Sequence, residues 1–174
     1  MSDLSKSFPT LLVEMINAKN PDENIKTTDI VIGAVAASTQ DPGRNSEVLV
    51  TGVQGSGYTG QQTFYYNRLN LTTIVGSGDK AFDEEGKTKL SHVVAEFNTR
   101  FKTNLQVGVD YTEADLPTFS GAPGESHDVT LAALSTSYIY LGSVVLTVKS
   151  ATRDLAEVLP NNMLDGLTYE PPAG

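Results

Sequence analysis

Two stretches of alternating apolar residues, each built around glycine, constrain this chain most. In the first, Glu47 to Leu71 (EVLVTGVQGSGYTGQQTFYYNRLNL), Val48 and Val50 alternate with other residues, and Phe64 and Tyr66 do so again. Gly55-Ser56-Gly57-Tyr58-Thr59-Gly60 lies between them. A period of two belongs to a strand and glycine supplies the positive φ of a tight turn, so the stretch predicts a β-hairpin. The pattern returns 82 residues later as DVTLAALSTSYIYLGSVVLTVKS, Asp128 to Ser150. On that offset Leu49 falls on Leu131, Tyr58 on Tyr140, Gly60 on Gly142, Phe64 on Leu146 and Tyr66 on Val148. The hairpin and its echo are expected to form the core.

A helix precedes each hairpin. Leu11, Leu12, Met15 and Ile16 follow amphipathic spacing up to Asn20-Pro21, where proline removes a donor and restricts the residue before it. Val93, Val94, Phe97 and Phe101 form the stripe of a second helix that begins at Ser91 or His92. Leu11-Leu12-Val13-Glu14-Met15 aligns with Val93-Val94-Ala95-Glu96-Phe97. After a one-residue gap Asn17 meets Asn98, and Asn24-Ile25 meets Asn104-Leu105. The expected fold is α+β, with two related helix-plus-hairpin lobes from an internal duplication. A chance recurrence of common patterns is the alternative. The lobes would span 1–75 and 91–150. The glycine-, acid- and lysine-rich stretch 76–90 (GSGDKAFDEEGKTKL) would be a polar linker, and 151–174 a C-terminal arm. Ile30 to Val35 adds a β-rich segment before the first hairpin, and Thr152 to Leu159 a short helix in the arm.

Twelve basic against 21 acidic residues give a net charge of −9. That balance disfavours nucleic-acid backbones and anionic membranes, so neither is expected as a partner. Without cysteine there is no disulfide, thiolate nucleophile or zinc knuckle, which fits production in a cytosol. The start, MSDLSKSFPT, is not that of a secretory signal, and no apolar run has the length of a membrane span.

Chemistry-bearing patterns are few. Gly55-x-Gly57-x-x-Gly60 has the letters of a dinucleotide fingerprint, but a strand-like QQTFYY follows where a helix is needed. His92 and His127 stand at element starts with no ligand spacing, and Gly55-Ser56-Gly57 falls short of a nucleophile elbow. Asp79 with Asp83-Glu84-Glu85 is a small acid cluster, read as a solvated linker in preference to a loose Ca²⁺ site. No catalytic residue, metal ligand or cofactor is therefore expected. Tyrosines are the more informative residues. Tyr65 and Tyr66 must point to opposite faces of their strand, and exposed sheet tyrosines suit interfaces. Tyr58, Tyr65, Tyr66, Tyr138 and Tyr140 are the candidate interface residues, with Leu164, Leu167 and Tyr169 of the arm. An apolar arm without its own core must dock, either on its own domain or on a neighbouring subunit. Little guards the edge of the first hairpin against another chain.

LLxxINAKN over Leu11–Asn20, Asp-Pro-Gly-Arg-Asn-Ser before a strand, GSGYTG before a strand ending YYNRLNL, and Leu164–Tyr169 in the tail together resemble a family of small virion structural proteins of large tailed bacteriophages. Val93–Val148 is similar to that family's second half. The resemblance implies a non-enzymatic particle component in the head, neck or tail, partnered by other virion proteins and copies of itself. A carbohydrate- or receptor-binding module, using loop 118–126 and the tyrosines, is the alternative reading.

Overall fold

The computed structural model describes residues 4–159 and shows a mixed α+β protein. Helix α1, Phe8–Lys19, carries Pro9 in its first turn, where a missing N–H costs nothing. Strands β1 (Ile30–Ala37), β2 (Ser46–Gly52) and β3 (Gln61–Tyr66) follow and form an antiparallel sheet in that order. Strand β4 (Leu69–Asn70) leads into the short helix α2 (Leu71–Val75), then β5 (Ala81–Asp83) and α3 (Leu90–Phe101). Strands β6 (Ser126–Ala132), β7 (Tyr140–Leu141) and β8 (Ser143–Lys149) precede α4 (Leu155–Val158). In the second sheet β8 lies between β5, which is parallel to it, and β6, which is antiparallel.

Both expected hairpins are present, as β2–β3 and β6–β8. Their correspondence slips by one residue. Val48 opposes Phe64 while Val129 opposes Leu146, so the first strands match at an offset of 81 and the second at 82. A slip of one turns a strand over. Leu49 accordingly points outward at 41% exposure, while Leu131, its expected counterpart, is fully buried.

Two hydrophobic clusters result. One joins Phe8, Leu12 and Ile16 of α1 to Val48, Val50 and Tyr66. The larger surrounds Val93, Val94 and Phe97 of α3 with Leu131, Leu146, Val148, Phe82 and Tyr140. Burial of the apolar stripe, more than helix propensity, holds elements this short. Residues 76–90 do not behave as a solvated linker. Phe82 is 1% exposed, β5 pairs with β8, and the Arg100 guanidinium sits 4.1 Å from the centre of the Phe82 ring. One aromatic residue in a charged run is enough to draw the chain back onto the sheet.

Each long helix is tied to the loop after it by the same device. Asn17 Nδ2 donates to the Ile25 carbonyl at 2.9 Å, and the Ile25 N–H donates to Asn17 Oδ1 at 3.1 Å. Asn98 Nδ2 donates to the Leu105 carbonyl at 3.1 Å, and the Leu105 N–H to Asn98 Oδ1 at 2.9 Å. A carboxamide offers a donor and an acceptor side by side and so closes both ends of one extended residue. The clamp presses an aliphatic side chain towards the core.

The two clusters meet at one seam. Strands β4 and β7 pair in parallel, Leu69 with Tyr140 and Asn70 with Leu141. Gly142 lies beside them with φ of 75°, and a Cβ there would stand 2.9 Å from Asn70 Oδ1, so this position needs glycine twice over.

Replacing Asn98 with Ala should cost about 1–3 kcal/mol, because Leu105 is 4% exposed and water cannot replace the lost partners. Asn17→Ala should cost less, since Ile25 is half-buried. Urea unfolding of both variants measures this. A loss for Asn98→Ala below about 0.5 kcal/mol, the range of ordinary surface changes, would dismiss the clamp.

Candidate functional site

The tyrosines expected at an interface divide by their surroundings. Tyr140 is fully buried, and its hydroxyl accepts the Asn104 N–H at 3.0 Å. Tyr66 is 9% exposed and donates to the Tyr138 carbonyl at 2.8 Å; burial raises its phenol far above the ordinary range, against the opposing pull of Arg68. Tyr138 stacks on Phe8 at 4.7 Å and donates to the Gly33 carbonyl at 3.0 Å. That carbonyl sits in a β1 irregularity between Ile32 and Val35, where the ladder with β2 is interrupted. Tyr66 and Tyr138 therefore act as struts across the seam while also lining the groove described below, and only fully buried Tyr140 is corrected as an interface residue. Alternation does place Tyr65 and Tyr66 on opposite sides, but the in-facing partner is fully engaged. Tyr58 and Tyr65 are partly exposed, and Tyr58 donates to Glu23 at 3.3 Å. Leu164, Leu167 and Tyr169 lie outside the described residues.

Asn45, Ser46, Asn67 and Arg68 form a polar joint at the same seam. Arg68 Nε donates to Ser46 Oγ at 2.7 Å, and Nη1 to the carbonyls of Ser135 and Ser137, each at 3.0 Å. Asn45 brackets the Arg68 backbone, accepting its N–H at 2.8 Å and donating to its carbonyl at 3.0 Å. The guanidinium fork spans two segments at once, which lysine could not do.

The surface left available is a groove along α1. Its first part, about 230 Å³, lies between Leu4, Phe8 and Leu11 on one side and Leu69, Tyr138 and Ile139 on the other. It continues past Met15, Tyr66 and Asn67 into a second part of about 370 Å³, with Phe64 and Tyr65 in the wall and Lys19 and Arg44 at the rim. Met15 was expected in the helix core stripe. It is 38% exposed and belongs to both parts of the groove. The sequence did carry a signal for this. Phe8, Leu11, Leu12, Val13, Met15 and Ile16 make the helix apolar over more of its circumference than one sheet can cover.

Loop 118–126 holds the chemistry nearest to a catalytic set. Ser120 Oγ donates to Glu125 Oε2 at 2.7 Å, and His127 Nε2 lies 2.9 Å from Glu125 Oε1. The carboxylate stands between the two, so Ser120 has no imidazole to take its proton, and the loop is a pinned turn. The Ser120 hydroxyl, then His127, hold the Glu125 carboxyl down to about 2. Buried Asp110 is likewise structural, accepting from Ser137 Oγ at 2.6 Å and the Gln106 N–H at 3.0 Å. Burial pushes the neighbouring Tyr111 phenol up to about 12. Among the described residues no group of three or more His, Cys, Asp or Glu is placed to hold a metal ion. No described helix is long and apolar enough to cross a membrane.

The chain belongs to a family of unknown function, DUF7941, which matches residues 1–173. No curated protein and no solved structure matches it.

The Glu125 carboxyl gives a pH test. Its folded pKa lies below the ordinary carboxylate value of 4.5, so its stabilising effect is complete above that value and disappears as pH falls through about 2. Carboxyl NMR of Glu125 should show a midpoint near 2 that Ser120→Ala moves upward. A midpoint at the ordinary value would mean that the loop is not pinned in solution.

Proposed function

We propose that the protein is a non-enzymatic structural subunit of a tailed-phage virion. It would act in the head, neck or tail by assembling with other virion proteins and with copies of itself. The sequence resemblance points there, and one observation carries the assembly reading. Strand β1, IVIGAVAA, is eight residues without a charge, and it pairs with β2 alone. An unpaired strand edge offers main-chain donors and acceptors to another chain, and proteins that stay apart usually guard such an edge with lysine or proline. Here β1 has neither, and its ladder with β2 is broken after Ile32. On the adjoining outer face Val31 is 59% and Leu49 41% exposed, in a chain carrying 21 acidic residues.

The finer architecture belongs to the same proposal. Two related helix-plus-hairpin lobes, 1–75 and 91–150, descend from one duplicated unit, and 151–174 is an assembly arm. The twin asparagine clamps support descent from one unit, because Asn17–Ile25 and Asn98–Leu105 repeat a reciprocal geometry that composition alone would not produce. The carbohydrate-binding reading loses ground, since Tyr140 is buried, the hydroxyls of Tyr66 and Tyr138 are bound within the chain, and loop 118–126 is occupied with its own hydrogen bonds.

Light scattering across a concentration series tests the reading. The full chain should form a discrete oligomer or bind purified particles. Val31→Lys, a change on an exposed position, should weaken that association several-fold while leaving the circular dichroism spectrum intact. A chain that stays monomeric and binds no particle protein would refute the assembly reading. Unchanged association of Val31→Lys would remove β1 and its outer face from it.

A further inference from the structure

The groove beside α1 and the last residues of the chain have matching chemistry. We infer that the groove receives the C-terminal arm, residues 160–174, of a second copy. The inference rests on the assembly reading above and names the acceptor site for the arm.

The groove is apolar along its length and no acidic residue lines it, although acids outnumber bases 21 to 12 in the chain. Lys19 and Arg44 stand at one end, and neither belongs to an ion pair among the described residues. An occupant should therefore be apolar, with acids towards that end. Residues 160–174, PNNMLDGLTYEPPAG, have that composition. Met163, Leu164, Leu167 and Tyr169 are apolar, Asp165 and Glu170 are acidic, and there is no lysine or arginine.

The course of the chain favours a neighbour as recipient. Strand β8 starts at Ser143, four residues after Ile139, which borders the groove with Tyr138, and ends at Lys149. Seven residues of strand span about 20 Å, and none of them lines the groove. Residues 151–156 are then exposed, with Leu155 at 71% and Leu159 at 60%. An arm that leaves with its leucines uncovered does not fold back on the body as far as residue 159. Arm and groove are different surfaces, so reciprocal exchange closes a dimer and onward exchange closes a ring.

The cysteine-free chain allows a clean test with the full-length protein. Met15→Cys places a thiol in the groove at an exposed position, and Leu167→Cys places one in the arm. The two single variants, one carrying a mass tag, are mixed and oxidised, with the oligomeric state of the untouched chain measured alongside. The expected product is a disulfide-linked heterodimer. A further Lys19→Glu, Arg44→Glu change in the groove partner should lower its yield several-fold. If the double variant Met15→Cys, Leu167→Cys instead closes within one chain and mixing gives no heterodimer, the arm fills its own groove and the exchange is wrong. An oligomer with no cross-link of either kind overturns the groove as acceptor and leaves the assembly reading standing. A monomer at all concentrations without cross-links overturns both exchange and self-assembly.

Discussion

Everything in this molecule depends on how the carbonyls of residues 135–139 are satisfied. That segment runs from exposed Ser135 to the boundary between the two hydrophobic clusters, where a bare buried carbonyl such as that of Ser137 would cost about 1–3 kcal/mol. Arg68 serves Ser135 and Ser137, Tyr66 serves Tyr138, and the Leu69 N–H serves Ile139 at 2.8 Å. Tyr138 returns the bond by donating to Gly33. The traffic runs both ways, so each half supplies donors that the other needs. The position of α1 follows from it, since Phe8 stacks on the ring whose hydroxyl is held at Gly33. No described buried side-chain polar atom lacks a partner.

This explains why the residues that look most distinctive are not the ones at the surface. Asn45, Ser46, Asn67 and Arg68 are a joint, and Tyr66, Tyr138 and Tyr140 are struts. With these hydroxyls committed inward, the described residues still offer a partner the open side of β1 and the groove along α1, whose walls are aliphatic and aromatic. Those features suit broad shape recognition better than the orientation of a small reacting molecule, which needs convergent polar groups.

The parts legible in the sequence were those written in periodicity. Alternation located β2, β3, β6 and β8, and helical spacing located α1 and α3. The alignment of Asn17 with Asn98 marked two equivalent positions, and nothing in the sequence showed the bonds they make. What escaped had physical reasons. Alternation tells which residues share a face and leaves open whether that face is covered, so Tyr140 was placed outside when it is fully buried. Val107, Val109 and Tyr111 alternate like a strand, yet the first two are 47% and 52% exposed, and 107–111 makes a turn pinned by Asp110. Phe82 was masked by its charged neighbours, and a three-residue strand has too few positions to show a period. The groove needed two distant segments, α1 and 138–139, to be brought side by side.

The seam also sets how the molecule answers to load. Each cluster is sealed by apolar burial, while the border between them is held by a two-residue strand pair, a handful of directional bonds and the shared packing of Ile139. Directional bonds lose most of their strength over a displacement of about an ångström, whereas buried area declines gradually as surfaces slide. Shear across the molecule therefore concentrates at the Tyr66–Tyr138–Arg68 line.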